Sequence, residues 1–359
     1  MKQLNEVTEG GEETASVPVV RSNRRKVLFW AGGVFAVLLF SFLIVFGRPF
    51  STRDTDVFLY IDNDDNIDSV YVKVERTLQP KSMSTFKFLS TLFSYESKIH
   101  RGRYEVSGHS SVISVFRALF GGRQTPVRIV IPTTWTKEMA LGRIAGRLMV
   151  DSLSLTRAFN DPDLCNKYNL DTCTIVSVLI PNTYDIYWDI SPEEFLERMY
   201  EESQKFWTSD RLEKAKKIGF STMDVLTLAS IVDAETADGK EKPMVAGLYV
   251  NRLHKGMPLQ SDPTVKYALG DFELRRVYKN MLRTRSPYNT YINVGLPPSP
   301  IRIPTVEGID AVLNYTRHNY LYMCAKEDLS GTHNFTTSYG EHRRNARNYA
   351  QAIDRRNVK

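Results

Sequence analysis

The sequence predicts an α+β protein: one apolar N-terminal helix, then a small α/β unit, then a larger mixed α+β domain. Three observations carry this reading. Residues 27–47 (VLFWAGGVFAVLLFSFLIVFG) are an uncharged apolar run directly behind a basic cluster. Short alternating stretches such as 126–131 (PVRIVI) are interleaved with capped segments of helical period. Residues 228–267 hold two successive helical patterns separated by a polar break, with a carboxylate on the apolar stripe of the first. At 359 residues the chain has room for about two domains of ordinary size.

Residues 1–20 are polar, Glu-rich and aperiodic, the composition of a disordered tail. Arg21, Arg24, Arg25 and Lys26 then lead into the apolar run, which is close to the roughly 20 residues that cross a bilayer as a helix. A cleaved signal peptide shares the basic front, but its apolar region is about 7–15 residues and ends in a small-residue cleavage site. Here the run is longer and is followed by Gly-Arg-Pro-Phe, which favours an uncleaved anchor. The positive-inside tendency puts residues 1–26 in the cytoplasm, 27–47 across the membrane and the remainder outside.

Of 47 Lys/Arg and 41 Asp/Glu, the first 47 residues hold 5 and 4, leaving 42 against 37 in the body. That mild excess over an exported body argues against a nucleic-acid partner and fits a weak attraction to an anionic envelope. Three cysteines, Cys165, Cys173 and Cys324, make no disulfide framework; a Cys165–Cys173 bridge and two buried thiols both remain open.

In chain order, residues 57–66 read as a strand into an Asp/Asn turn, 67–78 and 82–95 as helices, and 100–106 as a strand. A Ser-capped helix follows and stops at Gly121-Gly122, and PVRIVI closes a unit spanning 48–135. From 136 to 359 the pattern is mostly helical. Thr136 caps a helix predicted to reach Asp151, Ser191-Pro-Glu-Glu opens another, and Ser221 starts the one that leads to Glu235.

In that last helix Val225, Leu228, Ile231 and Val232 fall at helical spacing, and Glu235 continues their stripe. Asp233 points to nearly the opposite side, so the two acids are not a facing pair. Loss of solvation would raise the Glu235 pKa toward what a general acid needs, although pairing with a Lys or Arg at the core border is the plainer account. A second helix from about Glu241 ends at Gly256, with Asn251 and Arg252 on its last turn, and Gln260-Ser-Asp262-Pro-Thr reads as a polar turn. Residues 286–301 pack aromatics, amides and prolines into an irregular surface. Tyr320–Ala325 and the segment after Gly331 read as strands, before a closing helix through Glu341–Tyr349. His333 and His342 have no metal-ligand spacing, and no nucleotide loop or nucleophile elbow is present, so neither metal nor cofactor is expected.

These segments resemble a known family. Ala229-Ser-Ile-Val-Asp-Ala-Glu-Thr236, Tyr249-Val-Asn-Arg-Leu253, Gly256-Met-Pro-Leu-Gln-Ser-Asp-Pro-Thr264, Tyr288-Asn-Thr-Tyr291, Gly295-Leu-Pro-Pro298 and Gly331-Thr-His-Asn-Phe335 follow in the order of the YceG-like endolytic murein transglycosylases. The family pattern carries a second glutamate as catalytic acid, which falls on Glu235; its first glutamate is Asp233 here. Asn182 in Ile180-Pro-Asn-Thr-Tyr184 likewise stands where an acid is usual. The resemblance implies a LysM-like segment around residues 100–119 and substrate positioning by Asn251, Gln260, Asp262, Tyr288, Asn289 and His333.

It also implies endolytic cleavage of the MurNAc-β-1,4-GlcNAc bond in peptidoglycan to give 1,6-anhydro ends, acting on nascent strands as a terminator of glycan elongation at the outer face of the bacterial inner membrane, with penicillin-binding or other wall-synthesis proteins as partners. Two alternatives stay open: a hydrolytic muramidase using Asp262 or Glu241 as second carboxylate, and a non-catalytic anchored glycan-binding scaffold.

Overall fold

The computed structural model describes residues 24–357; the expected disordered tail lies outside the described residues. Helix α1 (Arg24–Gly47) presents apolar side chains to the outside, Phe29 at 81% exposure and Trp30 at 73%. The side chains of residues 38, 39 and 41–45 are not described, and among the described residues no helix is long and apolar enough to cross a membrane.

The small unit follows as β1 (Val57–Ile61), α2 (Ile67–Leu78), α3 (Ser84–Leu92), β2 (Gly102–Val106) and α4 (Val112–Phe120). β1 and β2 pair antiparallel with Leu59 opposite Tyr104, and their alternation turns Leu59, Ile61, Tyr104 and Val106 inward. Asn66 and Ser111 cap α2 and α4 with side-chain hydrogen bonds, as their positions predict. The predicted helix over 82–95 is shorter, because Phe93 closes α3 and Tyr95–Lys98 tighten into a 3₁₀ turn. Val70, Val74, Phe86, Tyr95 and Phe116 fill the core of this unit. A bridge between Pro49 and Ser111 ties it to the end of α1.

The larger part begins with β3 (Val127–Val130), α5 (Lys137–Ala145), α6 (Ser152–Phe159), α7 (Pro162–Asn166), β4 (Thr183–Ile186), α8 (Pro192–Phe206) and α9 (Ser209–Ile218). Thr136 caps α5, but that helix stops at Gly146 rather than reaching Asp151, which instead caps α6. β3 and β4 form an antiparallel ribbon over a core that includes Leu141, Phe159, Phe195 and Met199. Cys165 and Cys173 are both free thiols, the first buried and the second exposed, so the bridge left open by the sequence is not formed. Arg101 and Gln124 of the small unit both reach Asp189 at 3.1 Å, and Tyr60 meets Trp188 edge-on.

The remaining elements are α10 (Thr222–Glu235), α11 (Lys242–His254), α12 (Asp262–Leu269), α13 (Val306–Leu313), β5 (Tyr322–Ala325), β6 (His333–Thr336) and α14 (Tyr339–Asn357). The polar turn predicted at 260–264 is in fact the entry to α12, with Asp262 in its first turn. Helix α10 is the axis of this part. The sequence predicts a single apolar stripe, yet every residue from Val225 to Val232 is buried. Its polar members are internally satisfied: Ser230 donates to Thr227 O at 2.7 Å and accepts from Ile301 N at 3.0 Å. Each fully buried Leu, Ile or Val here contributes about 1.5–3 kcal/mol.

Asp233 closes one side of the same helix. It forms a 2.8 Å ion pair with Lys242, both side chains nearly inaccessible, and accepts from Thr305 N and Oγ1 at 2.5 and 3.0 Å. α13 passes so near that a Cβ on Gly308 would meet the Asp233 carboxylate at 2.5 Å, which is why a glycine stands there. Removing Asp233 leaves Thr305 N and Oγ1 without their acceptor and leaves Lys242 only the exposed Glu307 carboxylate as counter-ion, at 2.7 Å. Asp233→Ala is therefore expected to cost about 3–5 kcal/mol in chemical denaturation; a loss below about 1 kcal/mol, the scale of an exposed pair, would contradict this role.

Candidate active site

α10 ends on Glu235 because Thr236 turns extended and the following Ala237-Asp-Gly stretch cannot continue the helix; Asp238 N bonds Thr236 Oγ1 at 3.1 Å. The carboxyl is thus delivered at the C-terminal end of a buried helix, where the backbone dipole opposes negative charge. Tyr249 of α11 and Ser261, just before α12, donate to Glu235 Oε1 at 2.7 and 2.5 Å. Among the described residues no donor reaches Oε2, and the residue lines a cleft of ≈ 400 Å³. Burial pushes the Glu235 pKa up; the Ser261 and Tyr249 bonds pull the other way, Asp262 adds to the rise, and His333 opposes it, with the net shift upward. Burial and the neighbouring Glu235 push Tyr249 well up, so it stays a proton donor to the carboxyl.

The Ser261 side is held by a buried hydroxyl network. Thr290 Oγ1 accepts from Ser261 N at 3.0 Å and meets Thr264 Oγ1 at 2.8 Å, while Thr264 Oγ1 donates to Ser261 O at 2.6 Å. Gln260 adopts φ 54°, a left-handed conformation costing a non-glycine residue about 1–3 kcal/mol. It is pinned by its backbone bond to Thr290 O at 3.1 Å and by Arg252, which donates to Gln260 Oε1 at 2.7 Å. Tyr291 donates to Asp262 Oδ1 at 2.6 Å across the same cleft. His333 accompanies them on β6. Its Nδ1 bonds Glu241 Oε2 at 2.8 Å and its backbone N bonds Glu241 Oε1 at 2.6 Å, so both Glu241 oxygens are spent on one residue.

Four of the seven residues singled out in the sequence, Glu235, Gln260, Asp262 and His333, therefore line one cleft. The other three stand behind it. Asn251 donates to His318 O at 2.7 Å and Tyr320 O at 3.1 Å, fastening the segment that enters β5. Asn289 is fully buried and donates to Leu282 O and Thr284 O, shaping its loop from inside. Tyr288 bonds Ser299 at 2.7 Å. For the two asparagines a residue close by in the chain faces the cleft instead: Arg252 beside Asn251, and Tyr291 two residues beyond Asn289. The sequence reading did not select Tyr249, Ser261, Tyr291, Tyr322, Tyr339 or His342, and it set Arg252 beside Asn251 without choosing it as a contact. Tyr249, Arg252, Ser261 and Tyr291 all lie inside the ordered motifs, which is the signal that could have found them.

The profile of the YceG-like family matches residues 59–348. The chain belongs to the YceG-like family. It is 31% identical over 228 residues to an endolytic murein transglycosylase of Bacillus subtilis (strain 168), an alignment covering 63% of this chain and 62% of that protein. It is also 31% identical over 171 residues to an endolytic murein transglycosylase of Streptococcus pneumoniae serotype 2 (strain D39 / NCTC 7466), covering 46% of this chain and 31% of that one. The chain thus matches less than two thirds of the length of either relative. A crystal structure of a yceG-like protein from Listeria monocytogenes superposes with a TM-score of 0.53 at 25% identity, covering 81% of this chain and 99% of that one. The mixed α+β architecture is the one this family's fold carries.

A raised folded-state pKa has a consequence for stability. Ionising Glu235 costs more in the folded than in the unfolded chain, so wild-type protein loses stability as pH rises from about 4.3 through the folded pKa. Glu235→Gln, which keeps an acceptor for Tyr249 and Ser261, removes that cost. The variant's thermal midpoint is expected to match wild type at low pH and to exceed it increasingly toward neutral pH. A difference that stays constant with pH would show that Glu235 titrates as an ordinary surface glutamate.

Proposed function

We propose that this chain is an endolytic lytic transglycosylase that cuts the MurNAc-β-1,4-GlcNAc bond inside peptidoglycan strands, with Glu235 as the single acid/base. The observation that carries the reading is the Glu235 carboxyl: desolvated, held through Oε1 by Tyr249 and Ser261, with Oε2 unengaged by protein in an open cleft. In its protonated form, which burial favours, Glu235 gives its proton to the glycosidic oxygen as the C–O bond breaks and positive charge develops on the muramyl ring. The resulting carboxylate takes the proton of the muramyl 6-hydroxyl, whose oxygen closes on C1 to form the 1,6-anhydro ring. The proton count returns to its start and no water is consumed. The Tyr249 and Ser261 hydrogen bonds stabilise the carboxylate between the two steps.

One observation favours a second reading. Asp262 lines the same cleft, oriented by Tyr291, and a paired carboxylate is what a hydrolytic muramidase would use to activate water. Glu241 does not serve that role, because both its oxygens hold His333. Mass spectrometry of products from purified glycan strands separates the two: anhydro ends, lighter by one water than reducing ends, are expected. Glu235→Gln is expected to lower the rate by about 10²–10⁴-fold. Reducing-end products would move the assignment to the hydrolytic pair, an active Glu235→Gln protein would remove Glu235 from the catalytic role, and strand binding without any cleavage by the wild-type protein would leave only a glycan-binding scaffold.

The placement proposed for this activity is the outer face of the inner membrane, with residues 27–47 as anchor, the small unit as a LysM-like glycan-contacting unit and the larger part as the catalytic domain; the boundary expected at residue 135 moves ahead of β3, because that strand pairs with β4 and packs in the larger part's core. The sequence supports the placement: the uncharged apolar run of residues 27–47 is close to the roughly 20 residues that a helix needs to cross a bilayer core of about 30 Å. An anchored enzyme meets strands as they are made, which suits a terminator of glycan elongation working beside wall-synthesis proteins. Protease added to spheroplasts is expected to degrade residues 48–359; protection of that region would overturn the topology.

A further inference from the structure

The wall of the cleft formed by β5 and the start of α14 takes no part in holding Glu235, yet it is built from stacked rings. Tyr322 and His342 stack at 5.5 Å and 26°, Tyr322 and Tyr339 approach at 5.6 Å, and Tyr339 and His342 at 6.2 Å. All three line the cleft, and Tyr339 remains 60% exposed. The cluster is fixed from behind. The Arg252 guanidinium lies 5.8 Å from the Tyr322 ring centre and is itself held by Pro258 O and Leu321 O at 3.0 and 3.1 Å. The first turn of α14 is docked on β6 through Thr336, whose Oγ1 accepts from Ser338 N at 3.0 Å and donates to the Glu341 carboxylate, while His342 N donates to Ser338 O within the turn. His342 Nδ1 is shielded and has no protein hydrogen-bond partner, so stacking orients that ring. Burial and the nearby Arg252 hold His342 below its usual pKa, keeping it an uncharged aromatic at neutral pH.

We propose that Tyr339, backed by Tyr322 and His342, is a sugar-stacking subsite that holds one N-acetylhexosamine ring of the strand against the cleft wall. The inference rests on the glycan substrate assigned above and adds the subsite and its residues. A pyranose ring offers an apolar C–H face, and a rigid exposed ring at the lip of a polar cleft is its physical complement. Because Arg252 joins Tyr322 to Gln260, the shelf is mechanically continuous with the loop that carries Ser261. A ring seated on Tyr339 would register the strand relative to Glu235 from a position removed from the bond being cut, which is what cleavage within a strand requires.

Calorimetric titration of the full-length Glu235→Gln protein in detergent tests this, using peptide-free glycan strands in one arm and free stem peptide in the other. Adding Tyr339→Ala is expected to weaken strand binding about tenfold. Tyr339→Phe should restore it to within about twofold of the Tyr339 protein, since the ring rather than the hydroxyl does the stacking, and stem peptide should show no dependence on position 339. With Glu235 intact, kcat/KM on strands falls by the same factor in Tyr339→Ala. Equal strand affinity for Ala and Tyr, failure of Phe to rescue, or dependence seen only with the peptide would each overturn the subsite. An active Glu235→Gln protein would sink the catalytic assignment alone, because the binding comparison at residue 339 reads out separately.

Discussion

A carboxyl group at the C-terminal end of a helix buried on all sides is the constraint to which the rest of the larger domain answers. Burying α10 from Val225 to Val232 requires neighbours on every face, and α11 and α13 supply them. That packing brings Tyr249 to within 2.7 Å of the carboxyl and leaves little water to solvate a charge there. Two hydroxyl donors on one oxygen partly offset the loss and lock the rotamer. Desolvation and hydrogen bonding oppose one another, and desolvation dominates.

Asp233 and Glu235 show how two acids of one short motif are given opposite tasks by their surroundings. Asp233 faces Lys242 and the N-terminus of α13, where a positive charge and two hydrogen bonds compensate its burial. Glu235 faces the cleft and has hydroxyls in place of a cation. A carboxylate with a lysine beside it favours its ionised form, whereas one with only hydroxyl donors in a desolvated setting retains a proton to higher pH. Helical spacing alone separates the faces of these residues, but it says nothing of which face meets a lysine.

The polar residues around the cleft divide along similar lines. Amides with two donors and one acceptor, such as Asn251 and Asn289, are consumed in tying loops to carbonyl groups, because buried backbone oxygens demand partners. Hydroxyl and aromatic residues next to them face the cleft. Of the three amides expected to meet substrate, Gln260 lines the cleft, whereas Asn251 and Asn289 spend their donors on loop carbonyls behind it. The direction of a side chain in an irregular loop has no periodicity from which to read it.

Local order was legible in the residues themselves. Ser191 and Ser221 capping boxes, the Thr136 cap, the alternation of the β1 and β2 strands and the burial of the Glu235 stripe all depend on groups a few positions apart. The ordered motifs also carried the family and Glu235's candidacy. What only the tertiary structure decided is every contact that joins distant segments: Ser261 with Glu235, Tyr291 with Asp262, Glu241 with His333, and the Tyr322–Tyr339–His342 shelf. The physical reason is that helix caps and periodicity are short-range consequences of backbone geometry. A cleft instead arises where loops far apart in sequence are brought together by the packing of the helices that carry them.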